Sequence, residues 1–209
     1  MSRPVKAIFY SLLSLLFFVP EGAGGQLPEF RYRADPETLL LDYQLRPGLI
    51  YYGEPHLGLQ LFGNGKIIAT LPEKFPRNAI QRRGYIVSRR GSFETRLTPQ
   101  ETEELLRDVE PAFSIDPPAL KAAKRNLQAD KGRTDGAFTQ LRIRLDDYRP
   151  AQGNWQGPLE VSIDWKDVYG DARLYPSVEG IQNLHRADKA LSQWVFEIAA
   201  RVDAEERQP

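Results

Sequence analysis

The histidines are the side chains of this sequence best suited to acid–base chemistry near neutral pH, and there are only two of them. His185 is followed three residues later by Asp188, and side chains at this spacing meet on one face of a helix. Such a pair can shuttle a proton inside a pocket, or it can be a solvated pair at the margin of a helix face. We take His185 and Asp188 as the candidate acid–base pair, with both interpretations open.

The second histidine, His56, follows Glu54 at a spacing that a metal ion or a proton relay could use. A closed metal site needs about three or four protein ligands, and the sequence around this pair offers no third one. The chain also lacks cysteine, which excludes disulfides, a thiol nucleophile and Cys-ligated zinc. The sequence therefore predicts no metal site and no cofactor.

An Arg-rich segment offers a second kind of site. Residues 74–96 carry seven cationic side chains against one acidic side chain. Guanidinium groups form fork-shaped hydrogen bonds to anionic groups, and four residues are candidates for that role: Arg82, Arg83, Arg89 and Arg90. The next segment, 97–110, holds five carboxylates against one arginine. Internal neutralisation of the Arg-rich segment by this acidic segment is therefore the competing interpretation.

The common signatures of enzymes are missing from the sequence. No serine lies in a Gly-x-Ser-x-Gly elbow, and neither a phosphate-binding loop nor a dinucleotide fingerprint is present. We therefore assign no catalytic residue and expect a non-catalytic binding or interaction protein of the cell envelope. The alternatives are an envelope hydrolase, either metal-independent or based on Asp and His side chains, and a structural subunit of a larger assembly.

The N-terminus has the pattern of a targeting signal. Arg3 and Lys6 precede an uncharged apolar run over residues 7–19, which is shorter than the roughly 20 residues that span a bilayer. Pro20 ends the run, and small residues around Gly25 suit cleavage. We predict a signal peptide over 1–25 and export to the periplasm or the medium, without a membrane span after cleavage. An uncleaved anchor or a buried N-terminal helix is the alternative.

The overall composition is that of a globular chain. In 209 residues, 28 Lys and Arg balance 28 Asp and Glu, and aromatic residues make up 11%. This balance argues against disorder and against a dedicated nucleic-acid binder, which needs a basic excess. We expect a flexible arm over 26–40, a single soluble domain over 41–203 and a frayed tail over 204–209. The expected partner is an anionic envelope component or another protein, not nucleic acid.

Hydrophobic periodicity and turn residues predict the elements of this domain. Two apolar runs within 57–71 flank Gly63, Asn64 and Gly65, which is typical of a tight hairpin whose turn tolerates positive φ. A first strand is expected over 39–45, an extended region over 84–97 and a second hairpin over 138–165.

Three helices complete the prediction. Thr98, Pro99 and Glu101 form a capping box with proline at the first helical position. A second helix is expected from about Pro117 to Gly132, and a long one over 177–202. We therefore predict an α+β fold with an antiparallel sheet of hairpins, two central helices and a long C-terminal helix.

The order of several short motifs resembles a family of small exported bacterial proteins without an established activity. The motifs are the hairpin Leu59–Ile67, the helix start Leu97–Glu101 with Glu104–Leu106, then Asp135, Thr139, Leu141–Leu145, Tyr148 and Ala172–Pro176. The resemblance covers about residues 40–203 and implies the fold and the exported location. It implies no catalytic residue. Asn64 stands where Asp is expected often, and either residue suits the turn.

Overall fold

A computed structural model describes residues 27–46, 57–73, 84–126 and 136–208 of the chain. Four sequence predictions lie outside these residues. They are the signal peptide over 1–25, His56, the pair Arg82 and Arg83, and the end of the second helix near Gly132.

The centre of the fold is a six-stranded antiparallel sheet. Its strands are β2 (Leu39–Arg46), β3 (Leu57–Phe62), β4 (Lys66–Leu71), β5 (Gly91–Arg96), β6 (Phe138–Leu145) and β8 (Leu159–Lys166). They lie in the order β5-β4-β3-β2-β6-β8. Strands β2 to β5 form a four-stranded meander, and β2 also pairs with β6, which joins the meander to the β6–β8 pair. This arrangement confirms the predicted α+β class, the antiparallel sheet and both hairpins. Of the extended region 84–97, only β5 is a strand.

Four helices accompany the sheet: α1 (Pro99–Val109), α2 (Pro117–Asn126), α3 (Val168–Leu174) and α4 (Glu179–Glu206). The predicted capping box is present, because Thr98 Oγ1 accepts from the Glu101 amide and the Glu101 carboxylate accepts from the Thr98 amide. The sequence analysis missed α3, which is too short to show helical periodicity. It begins after Asp167, which has φ 59° and accepts a hydrogen bond from the Gly170 amide.

One face of the sheet carries the core. Alternate residues of β3, β4, β6 and β8 are buried on this face, as the period of two requires, whereas β2 buries the consecutive residues 40–43 and β5 buries only Phe93. Helix α4 packs across β3, β4 and β5, and α1 packs on α4. The apolar stripe of α4 includes Ile181, Leu184, Leu191, Val195 and Ile198, all fully buried. Burial of this stripe sets the rotation of α4 about its own axis, and therefore the direction in which its other side chains lie.

The β3–β4 turn differs from the prediction in one respect. Gly65 has φ 80°, but Asn64 is not among the positive-φ residues of the described chain. Asn64 instead accepts a hydrogen bond from the Lys66 amide through Oδ1, at 3.0 Å. The asparagine therefore stabilises the turn through its side chain, which is a common alternative role for Asn in turns.

The predicted flexible arm over 26–40 is described from residue 27 onward, and this part contains a strand. β1 (Glu29–Arg31) pairs with β7 (Asp147–Arg149) in a separate two-stranded sheet. The ring of Phe30 stacks on Tyr148 and meets Phe113 edge-on, with centroids 5.9 and 6.1 Å apart. These contacts tie the segment to the domain.

Within the described residues, no helix combines the length and apolar character needed to cross a bilayer.

Candidate functional site

A cavity of about 730 Å³ opens beside α4, near the end of β2. Of the described residues that line it, five belong to α4: His185, Asp188, Lys189, Ser192 and Gln193. Their spacing is that of one helix face. Leu45, Tyr85 and Tyr169 are the other described residues of the lining. The two residues of the predicted acid–base pair therefore lie in the same cavity.

Asp188 is held in position by two hydroxyl groups from the sheet. Its Oδ1 accepts hydrogen bonds from the Tyr43 hydroxyl at 3.0 Å and from Thr139 Oγ1 at 2.9 Å. Tyr43 lies on β2 and Thr139 on β6, and both strands are neighbours in the sheet. These bonds fix the orientation of the carboxylate at the cavity wall, and they anchor α4 to the sheet by polar contacts.

Ser192 belongs to the same network. Its Oγ lies 2.9 Å from the Tyr43 hydroxyl, and the serine is only 5% exposed. A serine nucleophile needs a base within hydrogen-bond reach. The partner of Ser192 is the phenol hydroxyl of Tyr43, which already donates a hydrogen bond to the carboxylate of Asp188. The arrangement therefore orders the cavity wall, and none of the described residues is a base in hydrogen-bond contact with the serine.

His185 shares the cavity with Asp188, but its ring contacts Tyr169. The two ring centroids lie 5.7 Å apart at 63°, an edge-to-face arrangement. Nδ1 of His185 is buried without a hydrogen-bond partner among the described residues. The imidazole can therefore meet a ligand through Nε2 and its ring edge only. The structure brings the predicted pair together without making it a proton relay.

Tyr85 also lines the cavity and is joined to α4 by a hydrogen bond. Its hydroxyl donates to Glu197 Oε1 at 2.9 Å, and the Gln193 amide donates to the same oxygen at 2.9 Å. The ring of Tyr85 stacks on Phe196, with centroids 6.1 Å apart. Tyr85 and Gln193 are thus held in fixed positions by one carboxylate. Tyr85 was not among the candidate residues predicted from the sequence.

The Arg-rich segment is partly committed to contacts within the chain. Arg89 donates to both carboxylate oxygens of Glu206, at 2.8 and 2.7 Å, and these bonds raise the pKa of Arg89. Its guanidinium also lies over the Phe93 ring, 4.2 Å from the centroid. Arg90 donates to the Arg89 carbonyl oxygen at 3.1 Å. Glu206 lies thirteen residues beyond Gln193 on α4, about 20 Å along the helix axis.

The acidic segment 97–110 has other partners than those the sequence predicted. Glu101 forms an ion pair with Arg201 of α4 at 2.7 Å. Asp108 accepts from Trp194 Nε1 at 2.8 Å, and Glu110 accepts from the Tyr148 hydroxyl. These carboxylates hold α1 against α4 and the small sheet. The observed neutralisation of Arg89 comes from the C-terminal end of α4 instead.

The described residues contain no group of three or more His, Asp or Glu side chains arranged to hold a metal ion. No protein-family model, curated protein or solved structure matches this chain. The cavity itself is therefore the feature of the molecule that indicates a function.

Proposed function

We propose that this chain is an exported, non-catalytic binding protein of the cell envelope, and that its ligand site is the cavity beside α4. The observation that supports the proposal most is the fixed polar lining of a large open cavity. Ligand pockets commonly occupy about 300–1,000 Å³ and combine apolar walls with a few oriented polar groups. The volume of about 730 Å³ and the anchored groups of Asp188 and Gln193 fit that description.

The proposal for the exported location depends on the sequence. Its support is the basic start, the short apolar run over 7–19, the small residues near Gly25 and the resemblance to a family of exported proteins. N-terminal sequencing of the protein from the envelope fraction tests it. We expect the mature chain to begin near residue 26, and an intact Met1 would contradict cleavage.

Native mass spectrometry of the protein isolated from the envelope fraction tests ligand binding. We expect an extra mass that disappears in Gln193→Trp, because an indole at this lining position would occupy part of the cavity and obstruct the ligand. Arg186→Trp is the matched control, because Arg186 is exposed on the same helix and does not line the cavity. The same loss in both variants would contradict the assignment of the site.

An envelope hydrolase is the second candidate, since His185, Asp188 and Ser192 line one cavity. Hydrolysis would require His185 to act on a substrate or water through Nε2, without help from Asp188. Loss of a measurable hydrolytic activity in His185→Ala, with the fold intact by circular dichroism, would favour this candidate over binding alone.

A further inference from the structure

We infer that residues 85–90 form a strap along α4 that opens locally and controls access to the cavity. This inference rests on the proposed function and adds the regulation of the site. Three features of the molecule support it: the strap is fastened by carboxylates of α4, glycines with positive φ border it, and its first residue lines the cavity.

Three carboxylates of α4 accept hydrogen bonds from residues of the strap, in the same order along both segments. The pairs are Tyr85 with Glu197 at 2.9 Å, Ser88 with Asp203 at 2.8 and 2.5 Å, and Arg89 with Glu206 at 2.8 and 2.7 Å. From Tyr85 to Ser88 an extended chain advances about 10 Å, and from Glu197 to Asp203 a helix rises about 9 Å. The strap therefore lies extended along α4, and each of these contacts can break without unfolding the helix.

The backbone of the strap is tied down less than that of its neighbours. Among the described residues, the backbone of residues 86–89 forms no hydrogen bond to another backbone group. Pairing with the sheet begins at Gly91, opposite Leu71 of β4. Segments with few backbone hydrogen bonds open at a lower free-energy cost than core strands and helices. The strap can therefore open while the sheet and α4 stay folded.

Glycines border the strap on both sides. Gly84 has φ 82° and Gly91 has φ 108°, conformations that glycine adopts readily and other residues disfavour. A Cβ added at either position would meet no atom within 4 Å, so close packing does not require these glycines. Hinges are short positions at the ends of a moving segment that absorb its backbone change. The two glycines have the position and the conformational freedom that such hinges need.

Tyr85 connects the strap to the cavity. Its side chain lines the cavity and stacks on Phe196, whereas the next residue, Ile86, is 72% exposed. When the strap leaves α4, the Tyr85 side chain leaves the lining and the cavity becomes wider. Ser192 lines the same cavity and is nearly buried, so a reactive group at this position reports how often the cavity opens.

The test uses a single thiol at that position. The chain has no cysteine, so Ser192→Cys supplies one unique reactive group, and its rate of modification by iodoacetamide measures access. In this background, Ser88→Ala removes the hydroxyl that bonds to Asp203. We expect the modification to become about three- to tenfold faster, the factor that corresponds to one lost hydrogen bond. Gly84→Ala should also accelerate it, because alanine disfavours the positive φ of the seated strap.

Two control variants separate local opening from other effects. Gly157→Ala adds a methyl group where there is equal space, at a glycine whose φ is not positive and which lies outside the strap. Leu105→Ala weakens the buried core. Both should leave the modification rate within about twofold. Acceleration by Leu105→Ala but not by Ser88→Ala would overturn the strap, because the thiol would then be reached through global unfolding.

Hydrogen exchange provides a second measurement on the chain without the thiol. The Ser88 amide donates to Asp203, so its exchange requires this contact to break. We expect it to exchange faster than the paired amides of β5 and to depend less on urea, because a local opening exposes little surface. The same rate and the same urea dependence as β5 would show that the strap opens only when the whole domain unfolds, which contradicts the inference.

The outcomes distinguish the strap from the proposed function. If the envelope protein carries an extra mass that Gln193→Trp removes, but Ser88→Ala and Gly84→Ala leave the thiol rate unchanged, the strap is wrong and the binding function stands. If both strap variants accelerate the modification but no extra mass is found, the strap opens the cavity as inferred and the binding function is wrong.

Discussion

Tyr43 of β2 and Asp188 of α4 are joined by a hydrogen bond of 3.0 Å, although 145 residues separate them in the chain. Tyr43 is fully buried, while Asp188 lines the cavity. A residue of the sheet core therefore sets the position of a residue in the candidate site. The stability of the fold and the geometry of the cavity are linked through this contact.

Tyr43→Phe tests that link. The substitution keeps the ring in the core but removes the hydroxyl that meets Asp188 and Ser192. We expect a loss of about 1–3 kcal/mol in the free energy of unfolding, because buried polar groups lose a partner. Urea denaturation measures the loss. An unchanged free energy would mean that the hydroxyl network contributes nothing to stability.

Leu105 tests the packing of α1. It is fully buried, and α1 packs on α4. Leu105→Ala should cost about 2–5 kcal/mol of unfolding free energy. Glu103→Ala on the exposed side of the same helix is the control and should change stability by less than about 0.5 kcal/mol. Equal effects of the two variants would reject the packing.

In the β3–β4 turn, Gly63 and Asn64 contribute to stability in different ways. A Cβ at Gly63 would overlap the carbonyl oxygen of Arg33, so Gly63→Ala should unfold or severely destabilise the turn. Asn64→Val should cost only about 0.5–1.5 kcal/mol, since it removes one side-chain hydrogen bond without forcing a positive φ. Thermal melting compares the stabilities of the two variants. A larger loss of stability in Asn64→Val than in Gly63→Ala would contradict this interpretation of the turn.

Asp203 gives the fold a dependence on pH. Burial alone would raise the pKa of this carboxyl, which is 2% exposed, but hydrogen bonds from Ser88 and the charge of Arg207 outweigh it and leave the pKa lowered. A lowered folded-state pKa adds stability above the unfolded value of about 3.9, and this stability is lost as the pH falls through the folded-state pKa.

The melting temperature between pH 7 and pH 3 measures this contribution. Asp203→Asn should melt lower than the native chain at pH 7, and the two should converge towards pH 3. A constant difference over the whole range would show that the charge of Asp203 does not contribute. Arg89 and Glu206 form an exposed ion pair, and such pairs contribute about 0–1 kcal/mol to the free energy of unfolding. This pair should therefore add little to the melting temperature of either chain.

Local patterns in the sequence were sufficient for most elements of the fold. The capping box at Thr98 and the alternation in 138–145 each depend on neighbouring residues, and the structure confirms both. The order of the strands depends on pairing between β2 and β6, which are distant in the chain. No local signal specifies that pairing, so the sequence could not predict that Tyr43 and Thr139 meet Asp188.

The candidate site was predictable to a similar extent. The spacing of His185 and Asp188 placed both on one helix face, and the structure brings both to one cavity. Lys189, Ser192 and Gln193 continue the same face, so this signal was present in the sequence. Tyr85 was not recognisable, because its position depends on Phe196 and Glu197 from a different part of the chain.

The most direct test of the central claim is to map where a natural ligand binds. Isotopically labelled mature protein would be titrated with the small-molecule fraction of an envelope extract, and amide chemical shifts would be followed. The account predicts that the shifts cluster at Tyr85, His185 and Gln193 and that they vanish in Gln193→Trp. Shifts centred on Arg89 and Glu206 instead, or no shifts at all, would contradict the assignment of the cavity as the ligand site.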